Sequence, residues 1–258
     1  MLLALDMGNT NITVGVFHDE ELLMESRIAT DRTKMEDQYA VELMDIFRLY
    51  NIHVRRIEGA IISSVVPPLD NAIRRAVKKV TGVDALLVGP GTKTGINIRI
   101  DNPAQLGADL LVGAVAAIHQ YGAPCIIWDL GTATTVSVLD ENGCFLGGAI
   151  MPGVYSSFAS LTASTSLLPR ISLEAPAHAI GTNTIESMQS GAVFGTAAIL
   201  DGMSARIREE IGCNAKIIAT GGLGRDIVPH CKEDIVYDDN LLMLGLRLIY
   251  ERNKPRKI

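Results

Sequence analysis

The sequence predicts an α/β protein made of two copies of one domain around a central cleft, one copy at residues 1–118 and the other at 119–258. Three observations carry this prediction. A short pattern occurs twice: Leu3-Ala4-Leu5-Asp6-Met7-Gly8-Asn9-Thr10 and Ile126-Ile127-Trp128-Asp129-Leu130-Gly131-Thr132-Ala133, each an apolar run ending in Asp-x-Gly-polar. The flanks match as well, since a β-rich run follows each copy (Ile12 to Phe17, Thr135 to Leu139) and then a turn cluster (Asp19-Glu20, Asp140 to Gly143). Finally, no linker or low-complexity stretch separates the halves, so the domains are expected to pack closely, and ligand sites favour such clefts. One Asp-x-Gly alone would read as a turn after a strand. Its repetition reads as duplicated anion-binding hairpins, in which glycine lets the backbone approach a phosphate and successive N–H groups point at its oxygens.

The remaining elements follow in order. Met35 to Tyr50 has helical spacing, with Tyr39, Leu43, Ile46 and Tyr50 on one face. Ala60 to Val66 is a buried strand closed by Pro67-Pro68. Asp70 to Thr81 is a second helix, and Ala85 to Val88 a further strand. Gly89 to Thr94 is a turn, because no glycine immediately precedes Lys93 and the phosphate-loop spacing fails. Asp109 starts a helix running to Gln120. In the second half, the Cys125–Leu139 hairpin leads to a glycine-rich segment, Gly147-Gly148-Ala149-Ile150-Met151-Pro152-Gly153. A helix runs from Asn183 to about Glu210, with Asn183 and Glu186 at capping-box spacing. The strand Ala215 to Ala219 then ends in Thr220-Gly221-Gly222, matching the Ala60–Val66 strand in order. Leu241 to Tyr250 is an apolar-faced helix.

Composition narrows the function classes. A hydrophobic share of 48%, a charged share of 20% and a net charge of −6 over 258 residues describe a soluble globular chain with no footprint for nucleic acid. The basic residues Arg252, Lys254, Arg256 and Lys257 read as a solvated end. The four cysteines and five histidines are scattered without metal-ligand spacing, which speaks against a zinc site or a disulfide scaffold and suits a reducing cytoplasm. Met1 leads straight into a strand without a basic stretch, so no export leader is expected. The longest apolar run, Leu110 to Ile118, is too short to cross a bilayer.

Paired hairpins with a late strand-Thr-Gly-Gly resemble the acetokinase, sugar kinase, heat-shock chaperone and actin superfamily. Its domains are actin-like ATPase units, ribonuclease H-like mixed sheets with flanking helices. Within it the chain is similar to the type III pantothenate kinases. The matching segments are Asp6 to Asn11, Asp101-Asn102-Pro103-Ala104-Gln105-Leu106-Gly107-Ala108-Asp109, Asp129 to Thr135, Gly147 to Gly153, Gly181-Thr182-Asn183-Thr184 and Thr220-Gly221-Gly222. They stand in family order across nearly the whole chain.

The resemblance implies ATP-dependent phosphorylation of the primary hydroxyl of pantothenate, the first step toward coenzyme A, by a cytoplasmic homodimer without nucleic-acid or membrane partners. Asp6, Met7, Gly8, Asn9, Thr10, Asn11, Ile12 and Thr13 would hold the ATP phosphates, with Asp6 meeting magnesium through water. Thr132 would contact phosphate from the second hairpin. Thr220, Gly221 and Gly222 would lie by the adenosine, although a plain strand-ending turn also fits them. Asp129 matches the position of a monovalent cation, potassium or ammonium. Asp109 matches the general base, and Gly107, Ala108, Asp109 and Leu110 the substrate segment. Alone, an Asp in a first helical turn reads first as a partner of the helix dipole. Thr184 would reach the pantothenate site of the neighbouring subunit, and hydroxyl capping is the alternative there.

Two departures stand out. Leu110 replaces an Arg that in the family helps to hold pantothenate, and Ile100 replaces a common aromatic. Leu110 cannot pair with a carboxylate, although N–H groups at the helix start can still receive polar substrate atoms. This keeps open a superfamily kinase acting on another small hydroxy acid. A nucleotide-binding regulator is the non-enzyme alternative, opposed by the acidic balance.

Overall fold

The computed structural model describes residues 1–254, so Arg256 and Lys257 lie outside the described residues. The chain forms two compact units. Unit 1 comprises Met1–Gly95, Asn102–Ala116 and the chain from Leu242; unit 2 comprises Ile96–Asp101 and Ala117–Leu241.

Unit 1 is built on β1 (Leu2–Met7), β2 (Asn11–His18), β3 (Glu21–Ala29), β4 (Gly59–Ser64) and β5 (Ala85–Leu87), in the order β3-β2-β1-β4-β5. The first three strands form an antiparallel meander, and β4 runs parallel to β1. Side chains alternate across a strand, so Leu3, Leu5 and Met7 enter one core with Ala60 and Ile62. Helices α1 (Glu36–Leu49) and α2 (Pro67–Thr81) supply the rest of that core through Tyr39, Leu43, Ile46, Leu69, Ile73 and Val77. Tyr50 departs from the expected apolar face: it is the C-cap residue, beyond the helix, and 43% exposed. Pro67 and Pro68 open α2 rather than merely closing β4. Proline suits a first helical turn because its missing N–H would have had no partner there.

Unit 2 contains β6 (Asn97–Ile98), β7 (Cys125–Leu130), β8 (Ala133–Leu139), β9 (Cys144–Pro152), β10 (Lys216–Thr220) and β11 (Ile235–Tyr237), ordered β11-β10-β7-β8-β9-β6. The glycine-rich segment Gly147 to Pro152 thus lies in β9. Helix α3 (Ala108–Tyr121) begins in unit 1 and ends in unit 2. Helices α4 (Val154–Ser164), α5 (Thr184–Ile211) and the short α6 (Gly224–Ile227) belong to unit 2. Its core gathers Ile126, Trp128 and Leu130 of β7 with Ala192, Val193 and Leu200 of α5. Trp128 is fully buried, and its indole N–H donates to Ser204 Oγ at 2.9 Å.

The duplication extends to register. β9-β8-β7-β10-β11 repeats β3-β2-β1-β4-β5. Asp6 pairs with Thr13 on β2 and Ser63 on β4, as Asp129 pairs with Thr135 on β8 and Thr220 on β10. Even the irregularity in the second pairing recurs, at Val16/Phe17 and at Val138/Leu139.

Helix α7 (Leu241–Asn253) accounts for the main difference from a single division after residue 118. It packs on unit 1, on the sheet face opposite the core just described. A Cβ on Gly15 would come within 2.7 Å of Met243 Sδ, and one on Gly59 would overlap the Tyr250 ring. Arg252 is not simply solvated, because its guanidinium donates to the Thr94 carbonyl. The expected turn at 89–94 is present, with the Thr92 N–H donating to the Gly89 carbonyl at 3.0 Å.

Candidate active site

Four groups of the anticipated residues can be located, two in each unit. The first is the β1–β2 turn. Gly8 donates its own N–H to the Asn11 carbonyl at 2.9 Å, so this N–H holds the turn together instead of facing outward. Asn9, Thr10 and Asn11 are exposed at the tip. Within the 6–13 segment, Met7 and Ile12 pair across the hairpin and are fully buried, so their side chains support the turn from the core side. Asp6 and Thr13 point to the opposite face by strand alternation. The segment after β3 braces the tip: Thr30 Oγ1 donates to the Gly8 carbonyl at 2.7 Å, and Arg32 donates to Asn9 Oδ1 at 2.8 Å. A guanidinium can only donate. The Asn9 amide is therefore oriented with its NH2 group turned away from Arg32. Sequence reading passed over Arg32 because nothing local ties it to a turn more than twenty residues earlier.

The second group is the start of α3. A short 3-10 turn at Pro103–Gln105 is capped by Asn102, whose side chain accepts from the Ala104 N–H at 3.2 Å. Gly107 then offers its carbonyl to the Leu111 N–H at 3.2 Å. Asp109 folds back over this first turn, and its Oδ1 accepts from the Leu110 N–H at 2.8 Å. A Cβ on residue 107 would sit 2.5 Å from that oxygen, so glycine is what admits the carboxylate here. Burial raises the Asp109 pKa above the ordinary carboxylate value; the Leu110 N–H pulls the other way and does not cancel it. The carboxylate is thus partly buried and made more basic than a surface Asp. Leu110 is intermediate in exposure and places no charge beside it.

In unit 2, the β7–β8 turn is one residue tighter than its counterpart, and the Gly131 N–H donates to the Ala133 carbonyl at 3.0 Å. Thr132 is exposed at the tip. Gly153, just before α4, packs so closely that a Cβ would overlap the Gly131 and Thr132 carbonyls, and Ser156 Oγ donates to the Thr132 carbonyl at 3.0 Å. Behind the turn, Asp129 lies against Gly221. Gly221 has φ +88°, and a Cβ there would come within 2.5 Å of Asp129 Oδ1 and 2.7 Å of the Leu130 nitrogen. Thr220 is 2% exposed and adjoins Asp129 on the neighbouring strand. Tyr237 donates its hydroxyl to the Gly221 carbonyl at 3.2 Å, a support that sequence spacing did not reveal.

The fourth group is the start of α5. Asn183 caps it, with Oδ1 accepting from the Glu186 N–H at 3.0 Å. Glu186 reaches back one residue further than a capping box requires, accepting from the Thr182 N–H at 3.0 Å and the Thr182 hydroxyl at 2.9 Å. These bonds hold its carboxyl below the usual range. Gly181 fits only because it has no side chain, since a Cβ would overlap the Ser187 nitrogen. Thr184, the first helical residue, is exposed. With Asn183 as the cap, its hydroxyl is not needed for that role.

Among the described residues, no three or more His, Cys, Asp or Glu side chains gather to hold a metal. Asp6 supplies one carboxylate, which suits a magnesium ion that keeps its waters and takes other ligands from phosphates. Asp129 with the hydroxyl-bearing Thr135 and Thr220 in its row forms a hard oxygen environment, as a potassium-type cation requires.

The family model for type III pantothenate kinase matches residues 2–206. The chain belongs to the type III pantothenate kinase family. A type III pantothenate kinase from Brevibacillus brevis is 44% identical over 254 residues, covering 98% of this chain and 100% of that protein. One from Halalkalibacterium halodurans is 43% identical over 253 residues, with the same coverage. Among solved structures, this kinase is similar in fold to a Campylobacter jejuni protein described as a Baf family transcriptional activator (TM-score 0.60, 18% identity, 97% and 98% of the two chains). Component A of (R)-2-hydroxyglutaryl-CoA dehydratase from Acidaminococcus fermentans is also similar (TM-score 0.54, 14% identity, 96% of each chain). So is the Clostridium difficile activator of 2-hydroxyisocaproyl-CoA dehydratase, solved with ADPNP (TM-score 0.51, 13% identity, 100% and 98%). These distant likenesses establish the fold of the kinase, a pair of actin-like units.

Proposed function

We propose that the chain transfers the γ-phosphoryl group of ATP to the primary hydroxyl of pantothenate, opening coenzyme A synthesis. The observation that carries this reading is full-length similarity to type III pantothenate kinases, joined to a basic, partly buried Asp109 at the start of α3. Asp109 accepts the hydroxyl proton, or aims the oxygen, as the new phosphorus–oxygen bond forms. Transfer otherwise depends on positioning and charge stabilisation. Asn9, Thr10 and Thr132 donate to the phosphates, and the Thr220-Gly221-Gly222 backbone lies by the adenosine. Gly107 and Ala108 receive pantothenate through backbone N–H groups; the Leu110 N–H is held by Asp109, and the Leu110 side chain supplies no charge. Magnesium, when bound near Asp6, draws negative charge off the phosphate oxygens. Asp129 holds a monovalent cation.

Coupled ADP release, measured over a panel of hydroxyl acceptors, tests the reading. Pantothenate-dependent ADP formation is expected in potassium, with loss of the rate when tetramethylammonium replaces it. ADP formed only with another hydroxy acid would move the substrate assignment to that acid, as Leu110 would allow. No ADP with any acceptor would favour a nucleotide-binding regulator. Equal rates in both salts would remove the cation from Asp129.

We further propose a cytoplasmic homodimer with sites shared between subunits, Asp109 from one and Thr184 from the other. Exposed Thr184, left out of the Asn183 cap, supports this. Co-refolding Asp109→Asn chains with Thr184→Arg chains is the check, given that each parent is inactive and dimeric. Random pairing makes half the dimers mixed, and each mixed dimer carries one intact site, so roughly a quarter of all sites regain activity. A mixture no better than its parents would exclude shared sites.

A further inference from the structure

The register of unit 1 places three polar side chains in one row on one face of the sheet. Asp6 pairs with Thr13 on β2 and with Ser63 on β4. Residues paired on adjacent strands point to the same side. Along the same face, Gly15 and Gly59 lie under α7, so the row occupies the C-terminal ends of the parallel strands β1 and β4, past the helix contacts at Met243 and Tyr250. The equivalent row in unit 2 is Thr135, Asp129 and Thr220. Each unit therefore presents hydroxyl, carboxylate, hydroxyl in the same order across its sheet.

Ser63 is the unusual member. It is 0% exposed, and its hydroxyl has no hydrogen-bond partner among the described residues. A buried hydroxyl without a partner costs free energy, and core positions on a central strand accommodate Ala or Val without that cost. Its neighbour Ser64 shows the ordinary solution, donating to Asp70 Oδ1 at 2.5 Å. Adjacent strands lie about 4.8 Å apart, so a rotamer change brings a serine hydroxyl within reach of a carboxylate one strand away. The hydroxyl donates, and an ionised carboxylate only accepts.

We infer that Ser63 is a positioning residue for Asp6: the orphan hydroxyl beside the β1 carboxylate donates to it when a magnesium nucleotide is held at the β1–β2 turn, and so fixes which carboxylate oxygen faces the cation. The inference rests on the proposed role of Asp6. Partners of this kind orient a metal-facing carboxylate and typically contribute about tenfold to hundredfold in metal affinity. Ser63 thereby does for Asp6 what Thr220, its equivalent in unit 2, is placed to do for Asp129.

The test uses the full chain with ADP as probe, titrated by calorimetry with and without magnesium, alongside thermal unfolding of the nucleotide-free protein. Ser63→Ala should leave the melting temperature unchanged or raised, because the hydroxyl it removes has no partner to lose. Affinity for ADP without magnesium should also hold. The gain in ADP affinity on adding magnesium should fall about tenfold or more. In an Asp6→Asn background the same substitution should have no further effect, as expected for two residues acting as one unit. A magnesium gain within twofold of the parent, or an undiminished loss in the Asp6→Asn background, would overturn the inference alone. So would a Ser63→Ala chain less stable than the parent, which would make the hydroxyl structural. Failure of the parent itself to bind ADP with magnesium would overturn the proposed function, and this inference with it.

Discussion

Asp109→Asn is expected to lower turnover by about 10²–10⁴-fold while leaving ATP affinity within a few-fold of the parent, the usual scale for loss of a general base. Asn has nearly the same shape and can still accept from the Leu110 N–H, so the first turn of α3 should survive. It cannot accept a proton at neutral pH. The same substitution should make the protein more stable near pH 7. Burial raises the folded-state pKa of Asp109, so ionisation is less favourable folded than unfolded. The sign follows from linkage: the contribution to stability is fully present below the unfolded pKa and is lost as pH rises through the folded pKa. Above that window the charged Asp costs stability, and Asn relieves the cost; below the ordinary carboxylate range the two proteins should melt alike. The acid limb of the parent's rate profile should accordingly lie above that of a surface carboxylate. Steady-state kinetics and melting curves at acid and neutral pH check both halves. Turnover within threefold of the parent would remove Asp109 from the chemistry, whatever happened to the melting temperature.

Gly221→Ala should strongly destabilise unit 2. Two costs combine. A non-glycine residue in the left-handed region costs about 1–2 kcal/mol, and φ at 221 is +88°. The added Cβ would also lie 2.7 Å from the Leu130 nitrogen and 2.5 Å from Asp129 Oδ1, and forcing atoms into packed space typically costs about 1–3 kcal/mol more. Gly82 supplies the control. It ends α2 with φ +77° and has nothing within 4 Å of its Cβ position, so Gly82→Ala meets only the first cost. Thermal unfolding should rank Gly221→Ala well below Gly82→Ala. Potassium dependence and ADP affinity should deteriorate only in Gly221→Ala, because the displaced carboxylate is Asp129. Equal melting temperatures for the two variants would show that the backbone at 221 shifts freely and that the contact with Asp129 is incidental.

What could be read from residues alone was whatever repeats or alternates locally. The two Asp-x-Gly hairpins, the apolar face of α1 through Ile46 and the Asn183 cap of α5 are all encoded within a few positions. Features that depend on long-range pairing were not legible. β3 and β9 were not anticipated: β3 mixes polar and apolar residues and β9 is interrupted by Gly147-Gly148, so the strand character of both comes from their neighbours. α4 was missed because its Ser-rich, weakly amphipathic stretch has no side-chain cap. At the candidate site, the positions of Asp6, Asp129 and Asp109 could be named from motifs, and the reasons for their glycines could not. Gly107, Gly153 and Gly221 each make room for an atom supplied elsewhere, a carboxylate oxygen or a backbone carbonyl. Ser63 looked like any residue of a buried strand until its register beside Asp6 was known.

The return of α7 to unit 1 sets the order in which the molecule can be finished on the ribosome. By the time the first sheet has emerged, all its strands are available to pair, yet the shallow lanes at Gly15 and Gly59 await Met243 and Tyr250. Every residue of unit 2 must be translated before those side chains arrive. The nascent first unit thus spends most of synthesis without the helix that covers this face. The second unit lies contiguous from Ala117 to Leu241, apart from the short 96–101 segment, and can close as soon as it clears the exit tunnel. The half that begins first is completed last.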